Sequence, residues 1–161
     1  MGHLTEHSIS DLYRSYYTDV FRYSFSILKN TENAKDAVQD IFLKLSDTID
    51  QYQGKCSMKT WLMILTRNYC YNLVSSKGYY HSDLEEADND YSIASDVDLK
   101  LSLEEALMKL SASQNELLFL KDSAGYSYKE IANLTGLSLE NVKVKLFRTR
   151  TILRCYLKNE L

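Results

Sequence analysis

Between Lys143 and Lys158 stand six cations (Lys143, Lys145, Arg148, Arg150, Arg154 and Lys158) with no acid among them. On one helix such a run aims ammonium and guanidinium donors at a polyanion, and a phosphate backbone is the natural ligand. The plainer reading is a solvated helix face whose cations lie favourably near a helix C-terminus. Just ahead of the run, Gly136 follows Ala132 by four residues and Val142 follows Gly136 by six. The small residue lets two helices cross closely, the glycine suits a left-handed turn, and Val142 locks the second helix onto Ile131. These offsets form a helix-turn-helix signature, whose second helix enters a DNA groove. A structural helical hairpin shares the spacing, but the attached basic face favours DNA. Val142, Leu146, Leu153 and Leu157 are expected inward, leaving Lys143, Val144, Phe147, Arg148 and Thr151 outward. An outward Phe147 suits a thymine methyl or a sugar face, while Lys143 and Arg148 could reach guanine edges or phosphates. Arg150 and Arg154 lie further round and along the helix, where backbone contact is expected.

Catalytic chemistry is not legible. The sequence contains no P-loop, nucleophile elbow or Gly-rich phosphate cradle, so no enzyme is expected. His3, His7 and His81 stand in flanking or linker segments, and neither a metal nor a cofactor is expected. Cys56, Cys70 and Cys155 are odd in number, widely spaced and without a C-x-x-C pair, which reads as reduced thiols in a cytoplasmic protein. The first seven residues lack the basic and apolar regions of a signal peptide. No stretch approaches the ~20 apolar residues of a bilayer span, so no membrane insertion is expected.

Helices must hold the candidate residues in place. Of 161 residues none is proline and five are glycine, too few breakers for a loop-rich or short-stranded fold. The fold class expected is all-α, as two small helical domains joined by a flexible acidic linker. Residues 1–78 carry a net charge of +1, residues 79–102 carry −6, and residues 103–161 carry +2, within a chain total of −3. The middle segment is rich in Ser, Asp and Asn and lacks a helical apolar stripe, as a solvated linker would.

In the first unit, Ile9, Leu12, Tyr13, Tyr16, Val20, Phe21, Ile27 and Leu28 recur at helical spacing, predicting a helix over about 8–29. Asn30 or Thr31 can cap a second helix to about Tyr52, with Ala34, Ala37, Val38, Ile41, Phe42, Leu45 and Ile49 facing a core. Ser57 can cap a third helix to about Lys77, with Trp61, Leu62, Ile64, Leu65, Tyr69 and Leu73 on its apolar face. In the second unit, Ser102/Glu105, Ser113/Glu116 and Ser127/Glu130 read as capping boxes. They predict helices at about 103–110, 114–122 and 128–135, before one from Ser138 to about Lys158.

Across both units the chain resembles an extracytoplasmic-function sigma factor, the minimal class of bacterial RNA polymerase specificity subunits. Asn33-Ala-Lys-Asp-Ala-Val-Gln-Asp-Ile-Phe-Leu-Lys-Leu45, Met58-Lys-Thr-Trp-Leu62 and Ile64-Leu-Thr-Arg-Asn68 are similar to the family's second conserved region. Leu103-Glu-Glu-Ala-Leu-Met-Lys-Leu110, Tyr128-Lys-Glu-Ile-Ala132 and Asn141-Val-Lys-Val-Lys-Leu-Phe-Arg-Thr-Arg150 are similar to its fourth. The resemblance implies promoter recognition and transcription initiation, with core RNA polymerase and promoter DNA as partners and an anti-sigma factor as a candidate third. It implies that 1–78 docks on the polymerase clamp through Asp36, Gln39, Asp40 and Leu43. The same unit is implied to capture an unstacked minus-ten base with Lys44, the Gly54–Ser57 loop (Lys55 and Ser57 within it) and Asn68. Residues 103–161 are implied to read the minus-35 element through Lys143, Val144, Phe147, Arg148, Arg150 and Arg154. The acidic linker either mimics a polyanion in a basic channel or serves as a plain solubilising tether. The alternative function is a stand-alone helix-turn-helix transcriptional regulator, with 1–78 as a dimerisation or sensing module.

Overall fold

The computed structural model describes residues 6–76 and 103–158, with side chains from Ile9 onward. The acidic segment 79–102, His3, His81 and Ser102 of the first expected capping box lie outside these residues. The described residues are helical and without a strand, and they fall in two compact units, one within Met1–Tyr79 and one within Tyr80–Leu161.

The first unit is a three-helix cluster of α1 (Glu6–Leu28), α2 (Thr31–Thr48) and α3 (Met58–Ser76). A two-residue corner separates α1 from α2. Lys29 adopts a left-handed conformation with φ 56° while its N–H donates to the Phe25 carbonyl at 2.8 Å. Asn30 then turns extended, and its side chain accepts from the Asn33 amide at 2.9 Å, closing the first turn of α2. A 3-10 turn, Ile49–Gln51, ends α2. The Ser57 hydroxyl accepts from the Thr60 amide at 3.1 Å at the start of α3.

Each helix lays one face into a common core. All seven expected core positions from Ala34 to Ile49 are buried. On α1, Val20, Ile27 and Leu28 are buried as expected, but Tyr23 and Ser24 join them while Tyr13 is 39% exposed. Tyr13 instead sets its ring edge against Phe42, with centroids 4.9 Å apart. On α3 Leu62 is buried as expected, but Met63, Thr66, Cys70 and Val74 complete the buried face, while Trp61, Ile64, Leu65, Tyr69 and Leu73 are half-buried. Thr66 tolerates burial because its hydroxyl donates to the Leu62 carbonyl at 2.8 Å. Cys70 behaves as a small hydrophobe, and Trp61 is half-buried against the Tyr52 ring at 5.3 Å.

The second unit contains α4 (Leu103–Lys109), α5 (Ala112–Leu118), α6 (Tyr128–Thr135) and α7 (Leu139–Lys158). A π turn, Phe119–Ser123, extends α5. Helices α4, α5 and α6 all pack on α7. Their core is Ala106, Leu110, Leu117, Leu118, Leu120, Ile131, Leu134, Val142 and Leu146. Fully burying a side chain of this size stabilises a fold by about 1.5–3 kcal/mol, an upper bound for the fully exposed reference.

One capping box differs from expectation. Helix α5 starts from Ser111, which pairs reciprocally with Gln114, and not from Ser113 with Glu116. Glu116 is 1% exposed and belongs to the buried face, so it has no reach back to a cap amide. The Ser127/Glu130 box is formed, with the hydroxyl accepting from the Glu130 amide at 3.1 Å.

Candidate nucleic-acid interface

The helix-turn-helix is built from α6, the turn at Gly136–Ser138, and α7. Gly136 takes φ 77° while its N–H donates to the Ala132 carbonyl at 2.9 Å, so α6 ends in a left-handed residue that glycine adopts without strain. Ser138 then accepts from the Asn141 amide at 3.1 Å, and α7 starts at the next residue, Leu139. Ile131, Leu134, Val142 and Leu146 are buried between the two helices and the rest of the unit. Thr149 continues the inward face, its hydroxyl donating to the Lys145 carbonyl at 2.7 Å. Leu153 and Leu157, expected inward, are half-buried.

The opposite face of α7 carries the candidate reading residues. Lys143, Val144, Phe147, Arg148 and Arg154 are exposed, and Phe147 stands 71% open. An isolated ring that open is poorly hydrated, and on a cationic face it offers a flat apolar surface to a base methyl or sugar. Lys143 extends over the Tyr128 ring of α6 at 5.6 Å, and Lys121 approaches the same ring at 4.4 Å. Tyr128 thus gathers cations from two elements beside the turn, a role its sequence position did not signal.

Arg150 is placed differently from its neighbours. Its guanidinium donates to the Asp122 carboxylate at 2.7 Å, tying α7 to the π turn. That hydrogen bond holds the guanidinium protonated above its ordinary range, with a smaller contribution from Tyr128. Arg150 is therefore shared between the fold and any phosphate it meets.

In the first unit, Asp36, Gln39, Asp40 and Leu43 lie along the solvent side of α2, opposite Ala34, Val38, Ile41 and Leu45. Leu43 is 66% exposed, an apolar side chain held outward among acids. Lys44 is exposed on the same helix, and its ammonium lies 5.1 Å from the Tyr69 ring centre on α3. The Tyr69 hydroxyl donates to Asp40 at 2.5 Å. Asn68, exposed on α3, immediately precedes Tyr69. Tyr69 thus joins residues expected to serve two separate tasks, a link that its expected place on the apolar face of α3 conceals. Lys55 and Ser57 are exposed in the loop before α3, where Gly54 takes φ 71° and the Tyr52 hydroxyl donates to the Cys56 carbonyl. Ser57 is committed to the α3 cap and also donates to the Thr60 hydroxyl at 2.9 Å.

The described residues hold no cluster of His, Cys, Asp and Glu suited to a metal, and none of their helices is long and apolar enough to cross a membrane.

Comparison with known proteins matches both units. Residues 12–79 match the family model for sigma-70 region 2, and residues 100–153 match that for sigma-70 region 4. The chain is similar to the RNA polymerase sigma factor YlaC of Bacillus subtilis, 28% identical over 91% of this chain and 90% of the relative. It is similar to the ECF RNA polymerase sigma factor EcfG of Rhodopseudomonas palustris, at 28% identity over 84% of this chain and 77% of the relative. Among solved structures it resembles the sigma factor RpoE of Bartonella quintana, crystallised with the anti-sigma factor NepR. There the TM-score is 0.70 and the identity 25%, over 92% of this chain and 97% of the other. The fold is also that of CnrH in its complex with the cytosolic domain of CnrY, with TM-score 0.71 and 19% identity over 98% of this chain and 92% of the other.

Proposed function

The chain belongs to the sigma-70 family, in its extracytoplasmic-function group, and from that premise we propose how its surfaces divide the work of an RNA polymerase sigma factor. The protein directs promoter recognition and transcription initiation, with core RNA polymerase and promoter DNA as its partners. Sigma factors are not enzymes in general. This one, in our reading, performs no chemistry of its own, needs no cofactor, and works in the cytoplasm beside the polymerase.

Residues 1–78 serve polymerase docking and minus-ten capture, 79–102 link, and 103–161 read the minus-35 element. Asp36, Gln39, Asp40 and Leu43 face the polymerase. The observation that carries this is Leu43: an apolar side chain 66% exposed among carboxylates gains from a partner that covers it, whereas a solvated acidic face has no use for it. Lys44, Lys55, Ser57 and Asn68 meet the minus-ten strand, the amide reading a base edge and the cations neutralising phosphates. Lys143, Val144, Phe147 and Arg148 face bases in the upstream groove; Arg150 and Arg154 meet its backbone. An anti-sigma factor that occludes these surfaces is a further partner, supported by the likeness to a sigma factor solved with one.

The experiment is in vitro transcription by purified core polymerase over a library of promoter fragments, with pull-down of core polymerase alongside. Leu43→Ser with Asp36→Lys should weaken core capture at least tenfold while helical content and thermal midpoint stay near wild type, since exposed positions contribute little to folding. Unchanged capture would remove the docking assignment. Promoter binding without core, at full specificity, would instead identify a stand-alone regulator.

A further inference from the structure

Tyr69 contacts α2 twice. Its hydroxyl holds Asp40 at 2.5 Å, and its ring lies under the Lys44 ammonium at 5.1 Å. Asp40 and Lys44 are spaced i, i+4 with the acid toward the helix N-terminus, the order in which a direct ion pair is favoured. Among the described residues no ion pair joins these two. Burial, followed by the hydrogen bond to Asp40, pushes the Tyr69 phenol well above its ordinary range, so it stays a donor throughout the neutral range.

We propose that Tyr69 is a positioning residue that keeps this acid–base pair apart: the hydroxyl draws the Asp40 carboxylate, the ring seats the Lys44 ammonium, and Lys44 keeps its donors for a promoter phosphate. The two partners act differently on a cation. A carboxylate neutralises the ammonium and occupies its N–H groups. An aromatic face attracts the charge through its quadrupole and leaves the outward N–H groups free. The inference rests on the reading of Lys44 as a DNA contact.

The test uses holoenzyme assembled at core concentrations that saturate every variant. It is titrated at several salt concentrations with a labelled minus-ten single strand from a promoter recovered in the transcription experiment. Lys44→Ala should flatten the dependence of log K on log salt by about 0.7, the value for one phosphate on single-stranded DNA. Tyr69→Leu should flatten it by a similar amount although every cation is retained, because Asp40 then pairs with Lys44. Adding Asp40→Asn to Tyr69→Leu should restore the slope. A wild-type slope for Tyr69→Leu beside a flattened one for Lys44→Ala would remove the inference and leave the Lys44 contact standing. A flattened slope that Asp40→Asn does not restore would also remove it, because damage to the α2–α3 packing is not repaired by neutralising Asp40. A wild-type slope for Lys44→Ala would overturn both the Lys44 contact and the inference.

Discussion

Side chains on one face of α7 should fail in different ways, because base and phosphate contacts have different physics. Arg148 and Phe147 are exposed one residue apart, near the N-terminal half of the helix that follows the turn. Arg148→Ala should cost roughly 1–3 kcal/mol in binding and relax preference at one or two base pairs, as a lost side-chain-to-base pair does. Arg154→Ala should weaken all sequences alike and make affinity less steeply salt-dependent. Phe147→Ala should reduce discrimination for thymine with little change in salt slope, if its ring covers a methyl group. Duplex titrations of holoenzyme against single-base variants of the upstream element, across several salts, separate the three. Equal losses for Arg148 and Arg154, with sequence preference intact in both, would mean that α7 does not read bases. Arg150 introduces a finer case. Its bond to Asp122 is partly solvent-exposed, so Asp122→Ala should change stability by less than about 1 kcal/mol. The same substitution should steepen the salt dependence of duplex binding, since a guanidinium no longer bonded to a carboxylate is more available to phosphate.

The turn between α6 and α7 decides where that face points, and its sequence was legible because its chemistry is local. The offset of Gly136 from Ala132 predicts a left-handed turn, and Gly136 takes that conformation. Ser127/Glu130 was legible for the same reason, as a pair three residues apart. Longer-range choices were not. Ser113 with Glu116 is the expected start of α5, but Glu116 is buried, a tertiary event, and Ser111 with Gln114 forms the box instead. On α3 the apolar period predicts a face through Trp61, Leu62, Leu65 and Tyr69. Burial of Thr66 and Cys70 rotated the core face by about one residue, which moved Tyr69 to the edge where it meets α2. Gly136→Ala should destabilise the second unit by about 1–2 kcal/mol through backbone conformation alone, since nothing lies within 4 Å of the added methyl. Gly136→Asn should lose less, because Asn tolerates the left-handed region. Ser127→Ala should cost about 1 kcal/mol by leaving the first-turn amide of α6 without its cap. Urea unfolding of the three variants checks the order, and equal midpoints for Ala and Asn at 136 would refute the conformational account.

Two compact units with separate cores should allow each proposed promoter contact to be weakened without touching the other. Within one polypeptide the second contact becomes intramolecular once the first has formed, so overall affinity exceeds that of either unit alone. On a minus-ten single strand, Asn68→Ala should lower holoenzyme affinity while Arg148→Ala has no effect. With a duplex carrying only the minus-35 element, the order should reverse. The full promoter should register both, and the double variant should lose the sum of the two penalties within about 0.5 kcal/mol, as expected for contacts that act independently. Gly136→Ala offers an independent control: destabilising the second unit should leave single-strand binding at its wild-type level. A penalty from Arg148→Ala on the single strand would show that the recognition helix also touches that DNA. A double-variant loss well short of the sum would mean that one contact forms only when the other does, so that the units act as a single reading head and not as two.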